Sequence, residues 1–264
     1  GLGLSDVLQF MLANKLLLSK IKGALGLECC NIFVSGAAPI SKEILEYFAK
    51  LNIIVSEVYG QSEDTGPTTF NAPGAVRLGT VGQAFPGVEV KIAEDGEILV
   101  RGKNVFQGYF KDTVATFDAI KDGWLHSGDL GELDGDGFLT ITGRKKDIII
   151  TAGGKNIAPK NIEASFKNHS LITEAVVIGD RRKFLSALLT VDPESTLSQE
   201  EQKAELDRIV EEVNAHFARV EHIRKYIVLP RQLTMEDGEL TPTLKVKKKN
   251  VFENWADEIE AMYQ

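Results

Sequence analysis

The sequence predicts a mixed fold: an α/β layer with a small antiparallel β-barrel or sheet, followed by a separate α+β domain. Three successive textures carry that reading. A β-α-β pattern fills residues 1–60, and short β-rich runs divided by Asp-Gly and Gly-rich turns extend from Gly79 to Thr142. Near Arg144 a third texture begins, in which strands alternate with capped and amphipathic helices. The expected boundaries are therefore residues 1–143 and 144–264, the second part being of ordinary domain size.

The elements follow in order. Val7 to Ile21 reads as an amphipathic helix interrupted by Lys15 and Lys20 and closed by Gly23. "NIFVS" (31–35) is a short apolar strand. Ser41 can cap a helix whose apolar face runs Ile44, Leu45, Phe48, Leu51, and "NIIVSEV" (52–58) is the next strand. "VEVKIA", "GEILVRG" and "GFLTITG" are short β runs, with one helical interlude, "KDTVATFDAI". "KKDIIITAGGKNIAP" is a strand and a glycine turn, after which Pro159 opens a helix at its tolerated first position. "EAVVIGD" and "SALLTV" are strands. A capping box from Ser198 to Glu201 starts a helix with apolar positions Leu206, Ile209, Val210, Val213 and Phe217. A lysine-bearing loop, "GELTPTLKVKKKNV", leads to a last short helix.

Composition excludes several classes. An apolar fraction of 43% and a charged fraction of 26% belong to a globular chain. A net charge of −8 argues against nucleic acid as a partner, because no basic excess is there to displace counterions. Cys29 and Cys30 are adjacent and ill placed to pair with each other, which implies a reducing, cytoplasmic setting. No stretch is long and apolar enough to span a bilayer. The chain begins at Gly1 without methionine or signal peptide, so the expectation is a piece of a longer protein.

Polar groups gather in four glycine- or turn-rich segments: "SGAAP" (35–39), "YGQSE" (59–63), "WLHSGD" (124–129) and "GRKKD" (143–147). A fifth, "TPTLK" (241–245), lies near the end. "YGQSE" follows an apolar strand, at the carboxyl end where α/β sheets bind ligands. "GGKN" (153–156) is not a phosphate-binding Walker loop, since no glycine stands at the matching upstream position and no Ser or Thr follows its lysine.

Taken in this order and at these distances, the five segments resemble the adenylate-forming (AMP-binding) superfamily. "DIIITAGGKNIAP" and "GELTPTLKVKKK" resemble its long-chain fatty acyl-CoA synthetases, of the bubblegum type. The resemblance covers the whole chain. It implies the end of a large N-terminal domain followed by a small mobile C-terminal domain, and an enzyme, an acid–thiol ligase. Such an enzyme joins a fatty acid to the α-phosphate of ATP, expels pyrophosphate and passes the acyl group to coenzyme A, with Mg²⁺ bound.

By the same resemblance, Gly36, Ala37 and Ala38 form an adenine-side loop. Tyr59 and Gly60 lie at the base, Ser62 contacts the α-phosphate and Glu63 holds the magnesium. These assignments suit the groups: a ring stacks on a base, a hydroxyl donates to phosphate, and Mg²⁺ takes a carboxylate plus phosphate oxygens. Asp64 matches no ligand position and reads as a turn residue. Asp129 matches the aspartate that binds both ribose hydroxyls, and Arg144 an arginine on ribose and phosphate. Trp124 and His126 read as packing and pocket wall. Lys146 takes the hinge position, and Gly153 and Gly154 line the pantetheine channel. Lys245 bridges the substrate carboxylate and the α-phosphate, where a positioned ammonium lowers a Coulomb barrier.

Lys247, Lys248 and Lys249 read as a solvated basic run, with coenzyme A phosphates or the inner face of a membrane, contacted peripherally, as the alternative use. The family's Ser/Thr/Gly-rich phosphate loop and most of its acyl pocket do not occur here. The expectation is a C-terminal fragment, missing the rest of the N-terminal domain and inactive alone. Two further readings stay open: an acyl-AMP ligase or other carboxylate–CoA ligase, and a non-catalytic nucleotide-binding module of the same fold.

Overall fold

The computed structural model describes residues 3–264. The chain divides into two compact units: Gly1–Ser127 with Gly131–Ile141, and Gly128–Leu130 with Thr142–Gln264.

In the first unit, α1 (Leu4–Ala13) runs through one π turn (Asn14–Leu18) into α2 (Ser19–Ala24). The helix thus passes through Gly23, where the sequence predicts its end. Gly26 (φ 69) stops it instead. Leu27 N donates to Lys22 O at 2.7 Å and Gly26 N to Gly23 O at 3.0 Å, the paired bonds of a left-handed helix terminus.

β1 (Phe33–Ser35) leads to α3 (Lys42–Lys50), capped as expected by Ser41, whose Oγ accepts from Ile44 N. β2 (Val55–Gln61) then lies parallel to β1. A strand absent from the sequence reading follows: β3 (Gly66–Phe70) turns back antiparallel to β2, and β4 (Gln83–Ala84) pairs with β3.

The second sheet is antiparallel and five-stranded. β5 (Val88–Ile92) and β6 (Glu97–Gly102) form a hairpin. After α4 (Thr113–Ala119) come β7 (Ile120–Lys121), β8 (Trp124–Leu133) and β9 (Leu139–Arg144). The order is β5-β6-β8-β7 with β9 also on β8, so the expected small antiparallel element is observed as a sheet. The Asp122–Gly123 turn between β7 and β8 has positive φ at both residues (51° and 78°), as a two-residue hairpin turn requires. Ile98, Val100, Leu125 and Leu139 form its buried core.

The second unit opens with a hairpin, β10 (Ile149–Ile150) and β11 (Asn156–Ile157), and with α5 (Pro159–Phe166), which Pro159 begins. β12 (Ile172–Ile178) and β13 (Leu185–Val191) are antiparallel. α6 (Gln199–Ala215) carries the expected capping box and returns the chain to β14 (Ile223–Val228), parallel to β13. α7 (Lys248–Asn254) and α8 (Ala256–Ala261) close the chain. Both faces of this sheet are covered, which is why "EAVVI" and "SALLTV" are mostly apolar. Ala175, Val177 and Leu189 face a core shared with Phe166, Leu206 and Ile209. Val176, Ile178 and Leu188 face a second core with Val251, Trp255 and Ile259.

Candidate active site

In the first unit "SGAAP" and "YGQSE" meet because β1 and β2 are parallel neighbours, with Ser35 in register with Glu57. Gly36 is needed there for packing. A Cβ would lie 2.6 Å from Val58 Cγ1 and 3.1 Å from Val58 O. Ala37 holds a left-handed φ of 69°, uncommon for a residue with a Cβ. Tyr59 is half-buried against the core around Ile98 and Leu125. At Gly60 the β2–β3 ladder shifts register. A Cβ there would overlap the Gly66 carbonyl, coming 2.7 Å from its carbon and 2.9 Å from Pro67 Cα. Strand packing alone therefore demands glycine at 60.

The turn Ser62–Asp64 is pinned by its last residue. Asp64 is 1% exposed; Oδ1 accepts from Gln61 N at 2.7 Å and Oδ2 from Thr68 Oγ1 at 2.6 Å. Burial raises its pKa, and these bonds counter the rise. It is the turn residue the sequence predicts, and it leaves Ser62 exposed and Glu63 half-buried.

A second segment, unmarked in the sequence reading, clasps this turn. Phe106 N donates to Glu63 O (2.8 Å), Thr65 Oγ1 to Asn104 O (2.6 Å) and Asn104 Nδ2 to Asp64 O (3.2 Å). Tyr109 completes it, its hydroxyl donating to Glu63 Oε1 at 2.7 Å. The only sequence signal was a hydroxyl-bearing aromatic beside Gly108, which ordinary loop chemistry also produces.

The donor set bears on magnesium. Among the described residues no group of three or more His, Cys, Asp or Glu could hold a metal. A single carboxylate at Glu63 fits an ion that arrives on a nucleotide's phosphates, since Mg²⁺ is commonly held by one or two carboxylates plus phosphate oxygens.

Two residues before Tyr59 on the same strand, Glu57 is buried with Oε2 lacking a hydrogen-bond partner. Burial pushes its pKa up to about 7, against a lowering bond from the Gly79 backbone. Sequence reasoning missed it, because an acid inside "NIIVSEV" reads as the solvent face of a strand.

In the second unit the two residues expected at a ribose touch each other. Asp129, 8% exposed, accepts at Oδ1 from Arg144 Nε at 2.9 Å. The contact exists because β8 and β9 are paired neighbours. Lys146 is exposed on the turn Lys145–Asp147. Gly153 and Gly154 sit exposed in the β10–β11 turn. There Gly154 has φ 74 and its N donates to Thr151 O at 2.8 Å, while no atom crowds its missing Cβ.

Lys245 ends a small closed loop. Thr241 N donates to Lys245 O (2.8 Å), and Lys245 N donates back to Thr241 Oγ1 (2.9 Å). The loop's base is Glu239, fully buried. Its carboxylate accepts from Arg231 Nη1 (2.7 Å) and Nη2 (3.0 Å), Thr234 N (3.1 Å), Asn254 Nδ2 (3.2 Å) and Trp255 Nε1 (2.9 Å). Lys247 N donates to its backbone carbonyl at 2.7 Å. This base too went unread in the sequence, where Glu239 stands among ordinary turn residues.

The basic run needs a correction. Lys248 is not solvated: its Nζ lies 2.7 Å from Glu163 Oε1 and its side chain is 22% exposed. Position 248 opens α7, and that geometry turns it toward α5 while Lys247 and Lys249 remain exposed. Trp124 packs under the cations of Lys91 and Arg101, 4.0 and 4.5 Å from its ring centre, and His126 Nδ1 sits 3.0 Å from Glu97 Oε2.

Known proteins match along nearly all of this chain. The AMP-binding enzyme model matches residues 5–110, and the AMP-binding enzyme C-terminal domain matches residues 146–264. The long-chain-fatty-acid–CoA ligase FadD15 of Mycobacterium bovis is 42% identical over 95% of this chain and 44% of its own length. The long-chain-fatty-acid–CoA ligase ACSBG2 of Xenopus laevis is 37% identical over 97% of this chain and 40% of its own. The chain thus spans less than half the length of these relatives. Among solved structures, o-succinylbenzoate CoA synthetase (MenE) from Bacillus subtilis, in complex with the acyl-adenylate intermediate OSB-AMP, superposes with a TM-score of 0.71. It is 26% identical, over 95% of this chain and 54% of that one. With one part of the family's sequence in each unit, the chain belongs to the AMP-binding, adenylate-forming enzymes.

Proposed function

We propose that this chain is part of an ATP-dependent long-chain fatty acid–CoA ligase, contributing the end of its AMP-binding domain and its C-terminal domain. The observation that carries the reading is the 42% identity to a ligase of that name over 95% of the chain. Glu63, Asp129, Arg144 and Lys245 are the residues that the motif resemblance assigns to its site.

The residues take the roles that the family resemblance gives them. Tyr59 offers its ring to adenine beside the 36–38 loop, and Ser62 donates to the α-phosphate. Asp129 and Arg144, already hydrogen-bonded, bind the ribose as a pair, the carboxylate accepting from its hydroxyls. Lys245 Nζ neutralises the approach of fatty carboxylate to α-phosphate. The carboxylate oxygen forms the new bond to phosphorus as pyrophosphate leaves. Coenzyme A's thiol then displaces AMP from the acyl carbon, giving its proton to solvent. Lys146 serves as the hinge between the two steps, and Gly153 and Gly154 leave room for the pantetheine arm. Glu63 would hold Mg²⁺, which would supply positive charge against the negative charge on the phosphates.

The test is calorimetric titration of the purified chain with a non-hydrolysable palmitoyl-adenylate mimic. Binding weakened about tenfold or more by Asp129→Ala and by Tyr59→Ala is expected. Binding indifferent to both substitutions overturns the assignment. Pyrophosphate release from ATP and palmitate is expected to be negligible for this chain alone, which carries no Ser/Thr/Gly-rich phosphate loop ending in lysine.

A further inference from the structure

We propose that the outer edge of β14 is a docking site for an extended acidic segment of a partner protein, which adds as a fourth strand to the β12–β13–β14 sheet. The inference rests on the second unit alone and is independent of the ligase reading. β14 ends the sheet, pairing with β13 on one side and with no strand on the other among the described residues. A groove of about 540 Å³ runs along it, walled by Lys203 and Leu206 of α6 and by Met262 beyond α8, with Arg224, Lys225 and Ile227 on the strand between them.

The groove's position at the edge follows from the cores that border it. Leu206 belongs to the core on one face of the sheet, whereas Met262 belongs to the core on the other, where Ile227 also packs. A groove that touches both faces lies where the sheet stops.

Charge selects the occupant. The groove lining includes three cations and no carboxylate, in a chain whose net charge is −8. Lys203 is held by Asp207, 2.7 Å away, which also accepts from the Tyr226 hydroxyl at 2.6 Å. Arg224 and Lys225 are exposed and form no ion pair with a carboxylate among the described residues. Basic side chains on an edge strand repel neutral and basic strands by the cost of burying them, and they admit an acidic one. An extended peptide is favoured over a phosphate or lipid headgroup for a second reason. No strand pairs with the outer edge of β14 among the described residues, so an added strand can bond to its backbone N–H and C=O groups in register, which a lone anion cannot do.

The probe is a capped peptide of about ten residues alternating Val and Glu, added to the isotopically labelled 264-residue chain. Expected are amide shifts concentrated at residues 224–228, slowed hydrogen exchange there, and weakening at raised salt. Three controls sharpen the test. The Lys-for-Glu peptide, the peptide N-methylated along one edge, and the Arg224→Glu/Lys225→Glu variant should each bind about tenfold more weakly or less. The variant changes exposed side chains only, and an unchanged melting curve confirms its fold. Shifts elsewhere on the chain, equal binding of the basic or N-methylated peptide, or no binding at millimolar peptide overturns the proposal. So does saturation of the same residues by inorganic phosphate or anionic vesicles while the acidic peptide leaves them unmoved.

Discussion

The phenolic oxygen of Tyr109 lies 2.7 Å from Oε1 of Glu63, a hydrogen bond closed across 46 residues of chain. The Glu63 carboxylate is therefore oriented by a loop outside its own motif. The bond also raises the Tyr109 pKa, because ionising the phenol would set two negative charges together. Tyr109→Phe and Glu63→Gln should each destabilise the first unit modestly. Urea unfolding of both singles and the double should give a coupling of about 0.5–1 kcal/mol, at the low end because Tyr109 is 41% exposed. Strictly additive losses would show that the bond contributes nothing.

Glu239 predicts the acid limb of stability. Burial alone would raise its pKa, but Arg231, Asn254, the Thr234 amide and Trp255 more than offset that and hold it at about 2. The unfolded carboxyl titrates near 4.5. The stabilisation is thus complete above that pH and is lost as pH falls toward 2. Glu239→Gln should lower stability at pH 7 by about 1.5–3 kcal/mol and flatten the slope between pH 4.5 and 2. Thermal melts across that window check both.

Glu57 predicts the reverse. Its folded pKa of about 7 exceeds the ordinary 4.5, so the folded chain binds the extra proton between those values. Stability should then fall as pH rises through that window and level off above it. Glu57→Gln should match the parent near pH 4.5 and exceed it at pH 8. A Glu57→Gln melting point below the parent's at pH 8 would contradict the assignment.

Two glycines named together for ligand contact should part company on substitution. Gly60→Ala drives a Cβ into the Gly66 carbonyl and should cost about 3 kcal/mol or more, or prevent folding. At Gly153 the nearest atom is Thr151 Oγ1, 3.9 Å away, so alanine should change stability by less than about 0.5 kcal/mol. Any loss of coenzyme A affinity in Gly153→Ala then reports on the ligand alone.

Local chemistry explains which elements were legible. Ser41, Pro159 and the Ser198–Glu201 box announce helices because their side chains or rings satisfy backbone termini within a few residues. β12 and β13 were visible because burial on both faces leaves their sequences largely apolar. β3 was hidden by the Gly and Pro of "GPTTF", which a strand tolerates at its first positions. β14 was hidden by Arg224 and Lys225, which an edge can expose. In the candidate site, the motif residues were readable by type. Their supports, Tyr109, Asn104 and Glu239, were not, since each acts through a distant contact that no spacing encodes.

The three residues Gly128–Leu130 group with Thr142–Gln264 although a stretch of the first unit separates them in sequence. Dissecting the second unit by a single cut at Thr142 would discard Asp129 and strip Arg144 of the carboxylate that accepts its Nε–H. A faithful excision has to graft that tripeptide back, for instance as a short hairpin fused ahead of Thr142.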